Sequence, residues 1–330
     1  MRGSRLTGMG HYLPERVVTN SELSELMDTT DEWIQKRTGI RERRWVEGDV
    51  GATDLAVHAA RQALDEAGLA STDLDMIIFA TLSPDINFPG SSCLLQERLA
   101  CPGIATLDIR NQCTGFVYSL AIADQFIRTG AMRNVLVVGA EVHSSGLDLS
   151  TRGRDLAVLF GDGAGAAVVS ATEGESRILD SRLHADGSYH QILMLDAPAS
   201  RRNPRLTEEM LADGLHYPRM RGRAVFKHAV DRIPEVVGEI LEANGKKLED
   251  VDIVVPHQAN LRINELVCRN MGLAPERMVH NIQRYGNTTA ASIPIALHEA
   301  VQDQRVKSGD LVLLAAFGAG LTWGANLIRW

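Results

Sequence analysis

A chain of 330 residues exceeds one ordinary domain and suits one large or two medium ones. Hydrophobic residues make up 45% and aromatics only 5%, with 29 glycines, the balance of an α/β protein packed with Ala, Val, Leu and Ile. A formal charge of −8 without a long basic run argues against nucleic acid as a partner. Cys93, Cys101, Cys113 and Cys268 form no CxxC pair and no metal-ligand spacing with His, which points to reduced thiols and no metal site. The first residues lack the apolar core of a signal peptide, and no apolar run is long enough to span a bilayer. The expectation is a soluble cytoplasmic protein without membrane insertion.

In chain order, Arg5 to Gly8 reads as a strand, Leu13-Pro14 as a turn and Asn20 to Met27 as helical. Asp31 or Thr30 could cap a short helix that places Trp33 and Arg37, four apart, on one face. Such a Trp beside arginines is either an amphipathic surface residue or a stacking platform for a nucleotide-bearing ligand. Residues 52–68 form an amphipathic helix stopped by Gly68, and Met76 to Thr81 a buried strand. A helix from about Ser91 to Leu99 precedes a strand at Ala105 to Ile109. Phe116, Leu120, Ala123 and Ile127 then recur at helical spacing up to Gly130. Cys113 therefore sits where a strand hands over to a buried helix. Unpaired N–H groups and the helix dipole there favour a thiolate, although on position alone a buried structural cysteine is the commoner reading. Asn134 to Glu141 is another buried strand. Leu156 to Ser170 reads as two strands joined by a glycine-rich turn, with no helix following to make it a phosphate loop; a tight hairpin or close backbone packing explains the glycines.

The second half echoes the first. Leu74-Asp-Met-Ile-Ile-Phe returns at Val251, Arg133-Asn-Val-Leu-Val-Val at Gly309, and the Leu107 segment at His280. The offsets are 251 − 74 = 177, 309 − 133 = 176 and 280 − 107 = 173. A duplicated unit follows, with boundaries at 1–172 and 173–330, each half contributing a largely parallel, buried sheet to a five-layered α-β-α-β-α sandwich. Between them, about 196–223 is rich in Pro, Arg and polar residues and reads as an irregular lid over a site. If Cys113 tops the buried helix of one half, Gly286-Asn287 tops its counterpart. His257 lies just past the carboxyl end of a strand, where α/β active sites collect. Cys113, His257 and Asn287 are thereby expected to converge.

Several motifs occur together: Asp31-Glu-Trp-Ile with Arg37-Thr-Gly-Ile-Arg-Glu-Arg, Cys113-Thr-Gly-Phe, Phe160-Gly-Asp-Gly-Ala-Gly-Ala, Pro256-His-Gln-Ala-Asn, Tyr285-Gly-Asn-Thr-Thr-Ala-Ala-Ser and Phe317-Gly-Ala-Gly-Leu-Thr-Trp-Gly. In this order they resemble the β-ketoacyl-acyl-carrier-protein synthase III family of the thiolase superfamily over essentially the whole chain. The resemblance implies a decarboxylative Claisen condensation that initiates fatty-acid synthesis, or a specialised relative in secondary metabolism using a longer or unusual acyl donor or a malonyl-CoA or β-keto acceptor. Cys113 would take an acyl group from acyl-CoA, and His257 and Asn287 would polarise the thioester of malonyl-acyl-carrier protein after it enters. The backbone N–H groups of Cys113 and Ala319 are the implied oxyanion hole. Trp33, Arg37, Asn260 and Arg154, with Arg152 as competitor, are the implied CoA contacts. Phe160 and Phe88 are assigned to the acyl pocket, Phe88 by reaching across a homodimer interface. Lys227, Arg262, Arg221 and Arg223 face the carrier protein. No metal, flavin or nicotinamide is implied. The chain departs from the pattern at Asn111-Gln112, where small residues are usual before the cysteine, at Ala319 in place of a glycine, and in a longer lid.

Overall fold

The computed structural model describes residues 3–175 and 177–330. Its first half runs β1 (Gly3–Tyr12), β2 (Val17–Thr19), α1 (Asn20–Leu26), α2 (Asp31–Thr38), β3 (Glu42–Arg44), α3 (Ala52–Ala67), β4 (Met76–Ala80), α4 (Ser91–Arg98), β5 (Ala105–Ile109), α5 (Gly115–Arg128), β6 (Asn134–Glu141), α6 (Arg154–Ala157) and β7 (Gly163–Thr172). Five of these strands form one sheet in the order β1-β7-β6-β4-β5. The alanine-rich face of α3 lies so close to this sheet that strand glycines are required. A Cβ on Gly8 would lie 2.2 Å from the Ala63 carbonyl oxygen, and one on Gly10 would lie 2.2 Å from that of Ala59.

The second half runs β8 (Arg177–Ala185), β9 (Leu193–Met194), α7 (Glu208–Ala212), β10 (Arg219–Met220), α8 (Gly222–Ala243), β11 (Ile253–Pro256), α9 (Leu261–Met271), α10 (Ile282–Tyr285), α11 (Ser292–Gln302), β12 (Leu311–Gly318) and β13 (Thr322–Arg329). Its sheet has the order β11-β12-β13-β8, and Met278 bridges Val254 in parallel on the far side of β11. Read from β8, the succession is that of the first sheet, with the single Met278 bridge where β5 stands. The repeat inferred from residue spacing is thus a repeat of topology.

Helices α3 and α4 cover the outer face of the first sheet, α8 and α9 that of the second, and α5 and α11 lie between the sheets. The central core joins Phe116, Leu120 and Ile127 of α5 to Ile293 and Leu297 of α11, Val137 of β6 and Leu314 of β12. Burying each such side chain contributes about 1.5–3 kcal/mol, whereas a surface ion pair such as Arg98–Asp54 contributes about 0–1 kcal/mol. The central layer, not surface pairing, holds the halves together.

Two expectations are corrected. The sheets are mixed rather than largely parallel: β4–β5, β4–β6 and β11–β12 are parallel, but β6–β7, β1–β7, β12–β13 and β13–β8 are antiparallel. Continuous apolarity reports cover on both faces, and helices on both sides impose that whatever the strand direction. Nor is Leu156 to Ser170 a pair of strands around a turn. Leu156 belongs to α6, and Gly163 and Gly165 lie inside the single strand β7. Close packing explains that glycine run, since a Cβ on Gly165 would lie 2.7 Å from the Cβ of Pro294. The first strand extends beyond Arg5–Gly8 at both ends. The 196–223 segment holds the short α7 and the strand β10, which pairs with β9 just before it.

Candidate active site

Cys113 stands at an elbow between β5 and α5. A 3-10 turn at Gln112–Thr114 makes the corner, and Gln112 adopts φ 43°. The counterpart before α11 is the Thr289–Ala291 turn, opened by Thr289 at φ 48°. The two left-handed residues lie 289 − 112 = 177 positions apart, at the upper end of the 173 to 177 offsets of the sequence repeat. Non-glycine residues seldom adopt this conformation, so each elbow is held by its surroundings. Thr114 Oγ1 bonds to the Asn111 carbonyl at 2.8 Å and to Thr322 Oγ1 at 2.8 Å, tying the first elbow to the second sheet.

Cys113 is buried, with Gly318 pressed against it. A Cβ on that glycine would lie 2.6 Å from Cys113 Cβ and 3.1 Å from Sγ. Burial pushes the thiol up to about 12, and the neighbouring Glu141 adds to the rise. The backbone N–H groups of Cys113 and Ala319 pull the other way. The expectation that the helix terminus favours a thiolate is therefore corrected for the free protein: desolvation outweighs the terminus. Ala319 is not among the residues of positive φ, so its Cβ meets no backbone penalty and its N–H still points at the sulfur. Burial also raises the Glu141 carboxyl to about 7 against donors from Ser83, Leu82 and Thr81, with Ser83 Oγ at 2.6 Å.

His257 follows β11 directly, and its N–H donates to the Ala315 carbonyl of β12 at 2.8 Å. Its Nδ1 lies 2.6 Å from Ser292 Oγ, which also accepts from the Gln258 N–H at 3.3 Å. A hydroxyl occupied in this way as acceptor has its own proton free for Nδ1. With the hydroxyl donating to Nδ1, the imidazole proton sits on Nε2. Nε2 is buried without a hydrogen-bond partner among the described residues, and burial lowers the ring to about 3, so it is neutral. In that tautomer Nε2–H is a donor whose ring is oriented by the Ser292 contact.

Asn287 is clamped by its backbone. Its N–H donates to the Leu159 carbonyl at 2.8 Å, and its carbonyl accepts from the Gly161 N–H at 3.1 Å. The side-chain Oδ1 accepts from the Thr289 N–H at 2.8 Å, which leaves the amide NH2 for the pocket. Arg43, fully buried, donates to the carbonyls of Val18 at 3.2 Å and Val158 at 3.0 Å and to Asn20 Oδ1 at 2.8 Å. Burial lowers it to about 10, against the opposing pull of the Glu42, Glu22 and Asp31 carboxylates.

Cys113, His257 and Asn287 line one cavity of about 610 Å³. The three are buried, while Trp33 and Arg37, on the same cavity wall, are half-buried and exposed, so Cys113, His257 and Asn287 occupy the closed end. Thr30 is the cap of α2; its side chain accepts from the Trp33 N–H. The guanidinium carbons of Arg37 and Arg154 lie 4.6 and 4.7 Å from the Trp33 ring centroid. Arg152 instead pairs with Asp148 at 2.6 Å and turns toward Tyr217 of the lid. Asn260 lines the cavity, caps α9 through the Arg262 N–H at 2.8 Å and donates to the Arg37 carbonyl at 3.1 Å.

Phe160 lines the cavity with its ring 4.6 Å from His143, whereas Phe88 is 85% exposed and does not line the cavity. Lys227, Arg221 and Arg223 are exposed. Arg262 is engaged within the chain, donating to the Lys36 carbonyl at 3.0 Å and the Gln35 carbonyl at 2.8 Å and pairing with Glu265 at 3.0 Å. Sequence reasoning missed Ser292, Thr289, Arg43 and Glu141. The small residues of Thr288-Thr-Ala-Ala-Ser292, placed before a buried helix, were the available signal for the first two. Among the described residues, no group of three or more His, Cys, Asp or Glu is arranged to hold a metal, and no helix is long and apolar enough to cross a membrane.

Comparison with known proteins bears on this geometry. The family described as 3-oxoacyl-[acyl-carrier-protein (ACP)] synthase III matches residues 107–187, and its C-terminal counterpart matches residues 241–330. The beta-ketoacyl-[acyl-carrier-protein] synthase III of Aquifex aeolicus is 47% identical, over 99% of this chain and 100% of the relative. The crystal structure of the Aquifex aeolicus VF5 3-oxoacyl-[acyl-carrier-protein] synthase III superposes with a TM-score of 0.91 at 47% identity, covering 99% of this chain and 100% of that one. The priming β-ketosynthase of the R1128 polyketide pathway superposes with a TM-score of 0.90 at 33% identity, covering 99% and 96%.

Proposed function

Since this chain belongs to the 3-oxoacyl-[acyl-carrier-protein] synthase III family, whose members at 47% identity match it end to end, we propose that Cys113, His257 and Asn287 carry its condensation chemistry. The enzyme is an acyltransferase that condenses an acyl group from acyl-CoA with malonyl-carrier protein, the step that initiates fatty-acid synthesis. The observation that carries the residue assignment is the convergence of the three side chains at the closed end of one cavity. Residues 1–172 supply the nucleophile and residues 173–330 the two donors.

In the first half-reaction the Cys113 sulfur attacks the acyl-CoA carbonyl. The C–S bond to CoA breaks, CoA leaves with the thiol proton, and an acyl-cysteine remains. Negative charge on the carbonyl oxygen falls to the Cys113 and Ala319 N–H groups. In the second, the malonyl group loses carbon dioxide while His257 Nε2–H and the Asn287 amide donate to its thioester oxygen, stabilising the enolate. The carbanion attacks the acyl-cysteine carbonyl, a C–C bond forms, the C–S bond to Cys113 breaks, and the sulfur regains a proton. The proton that the sulfur regains comes from water, the thiol proton having left with CoA, and no step calls for a metal, flavin or nicotinamide.

At the open end, an adenine would enter between Trp33 and the guanidinium of Arg154, with Arg37 beside the phosphates and Asn260 along the pantetheine arm. Loss of that stack is worth about 1–2 kcal/mol. Arg154→Ala should therefore raise the KM for acyl-CoA about tenfold, and Arg152→Ala should change it less than about twofold. Initial acylation rates against acyl-CoA concentration measure both. The reverse ranking would assign the contact to Arg152.

Phe88, 85% exposed beside the 48% exposed Ile86, is proposed to enter the acyl pocket of a second copy across a homodimer interface. A cytoplasmic setting follows from the CoA substrate. Exposed Lys227, Arg221 and Arg223 face the carrier protein; the Arg262 guanidinium contributes less, being occupied by carbonyls of α2.

The altered elbow at Asn111-Gln112 and the long lid favour an acyl donor longer or less ordinary than acetyl, as does similarity to a priming ketosynthase of a polyketide pathway. Intact-mass spectrometry with single acyl-CoAs from C2 to C16 tests this. The expected result is one acyl adduct on Cys113 with a preference beyond C2; a preference for acetyl alone would return the enzyme to the simplest primer.

A further inference from the structure

Asp196, 7% exposed, receives three guanidinium groups: Arg201 at 2.5 Å, Arg202 at 2.6 Å and Arg219 at 3.0 Å. One carboxylate offsets one of three positive charges. The side chains of Arg201 and Arg219 keep 61% and 52% of their surface exposed while Asp196 holds them in place. They line a second cavity of about 430 Å³ with Arg221, Gln191, Met194 and Met220. Met220 also lines the catalytic cavity, and the next residues, Gly222 and Arg223, belong to the catalytic wall. The basic hollow and the catalytic cavity are thus neighbours across one strand, Arg219–Met220. The same lid leaves Leu195, Leu206 and Leu211 at 49%, 39% and 42% exposure.

A pre-ordered cluster of arginines with excess charge, accompanied by exposed leucines, matches an acidic protein face better than a small anion, which has no use for the leucines. The nucleotide of CoA has its own proposed bracket at Trp33, Arg37 and Arg154, and Trp33 and Arg37 line the other cavity. The chain as a whole carries −8, so a local excess of positive charge is what would draw an acidic partner to it. Lid acids Glu208 and Glu209 belong to α7, and Asp213 follows it directly, apart in sequence from the arginines around Asp196.

We propose that the lid surface centred on Arg201, Arg219 and Arg221 docks an acidic face of the malonyl-carrier protein and thereby aims its pantetheine arm at the adjoining cavity mouth. The inference rests on the condensing-enzyme reading above and adds a partner site to it, one that does not depend on Arg262.

The test compares wild type with Arg201→Glu/Arg219→Glu and the milder Arg201→Gln/Arg219→Gln. Steady-state condensation is measured with malonyl-carrier protein and with malonyl-pantetheine, which has no protein surface, and acylation by acyl-CoA is followed separately by mass. Charge reversal should raise the KM for malonyl-carrier protein about tenfold or more, and the Gln pair about threefold. The wild-type kcat/KM should fall as ionic strength rises, with a flatter fall in the variants. Malonyl-pantetheine turnover and acylation should change less than about twofold. An unchanged KM for the carrier protein overturns the inference. So do equal losses on both acceptors, or slowed acylation in both pairs, which would make the cluster a structural brace or a CoA contact. Wild type that turns over malonyl-CoA but not malonyl-carrier protein overturns the acceptor reading itself, a result visible before any variant is made.

Discussion

Replacing Cys113 with alanine should abolish the covalent acyl adduct and lower condensation by about 10⁴-fold or more, the scale on which loss of an enzyme nucleophile is felt. The cavity wall, the Ala319 N–H and the nucleotide bracket all remain in the variant, so acyl-CoA should still bind. Intact mass reads the adduct directly; an adduct of unchanged yield on the variant would remove Cys113 from the mechanism. The free thiol has a distinctive pH signature. Burial sets it at about 12 and the neighbouring His257 at about 3, so neither carries charge between about pH 6 and 9. A raised pKa leaves the thiolate scarce, about one part in 10⁵ at pH 7, five units below 12. Alkylation of Cys113 by iodoacetamide should therefore climb about tenfold per pH unit across that range without levelling. A plateau near pH 7 would mean a thiolate–imidazolium pair instead.

Removing either enolate donor should separate the two half-reactions. His257→Ala and Asn287→Ala should each cut condensation from a preformed acyl-enzyme by about 10²–10³-fold, the loss typical of a preorganised oxyanion donor, while acylation of Cys113 falls far less. Single-turnover mixing of acyl-enzyme with malonyl-carrier protein gives the first rate and intact mass the second. Equal losses in both would assign these residues to the nucleophile and not to the malonyl oxygen. Ser292 bears on the same step through His257: without its hydroxyl, Nδ1 has no donor at 2.6 Å and the proton is no longer confined to Nε2.

Much of this architecture is legible in the residues. The Asn134–Glu141 and Ala105–Ile109 strands have the bounds their apolar runs suggest, and α3 stops at Gly68, which adopts φ 65°. The repeat offset alone places Asn287 opposite Cys113. Other features are set by distant parts of the chain. Strand direction in the sheets leaves no mark on sequences buried on both faces. The thiol is enclosed by Gly318, some two hundred positions away, so its position at a helix start gave the wrong sign for its pKa. Arg43 sits in a run of charged residues that looks like surface, yet it is fully buried under the Asn287 clamp. Arg262 looks like an available cation, and the structure commits it to the end of α2.

The placement of α5 and α11 has a consequence for how the protein comes into being. Helix α5, from the first half, packs on β13 and β8 of the second, and α11, from the second half, packs on β7 and β1 of the first. Each middle helix is shared by both sheets, α5 packing also on β4 and β6 of its own half and α11 also on β11, so neither half can close its interior before its twin exists. A nascent chain halted after β7 holds the nucleophile but leaves the inner face of its sheet without α11. Such interlocking favours a single all-or-none folding transition over two independent ones, and chemical competence then arrives with the last strands, when both elbows are fixed against each other.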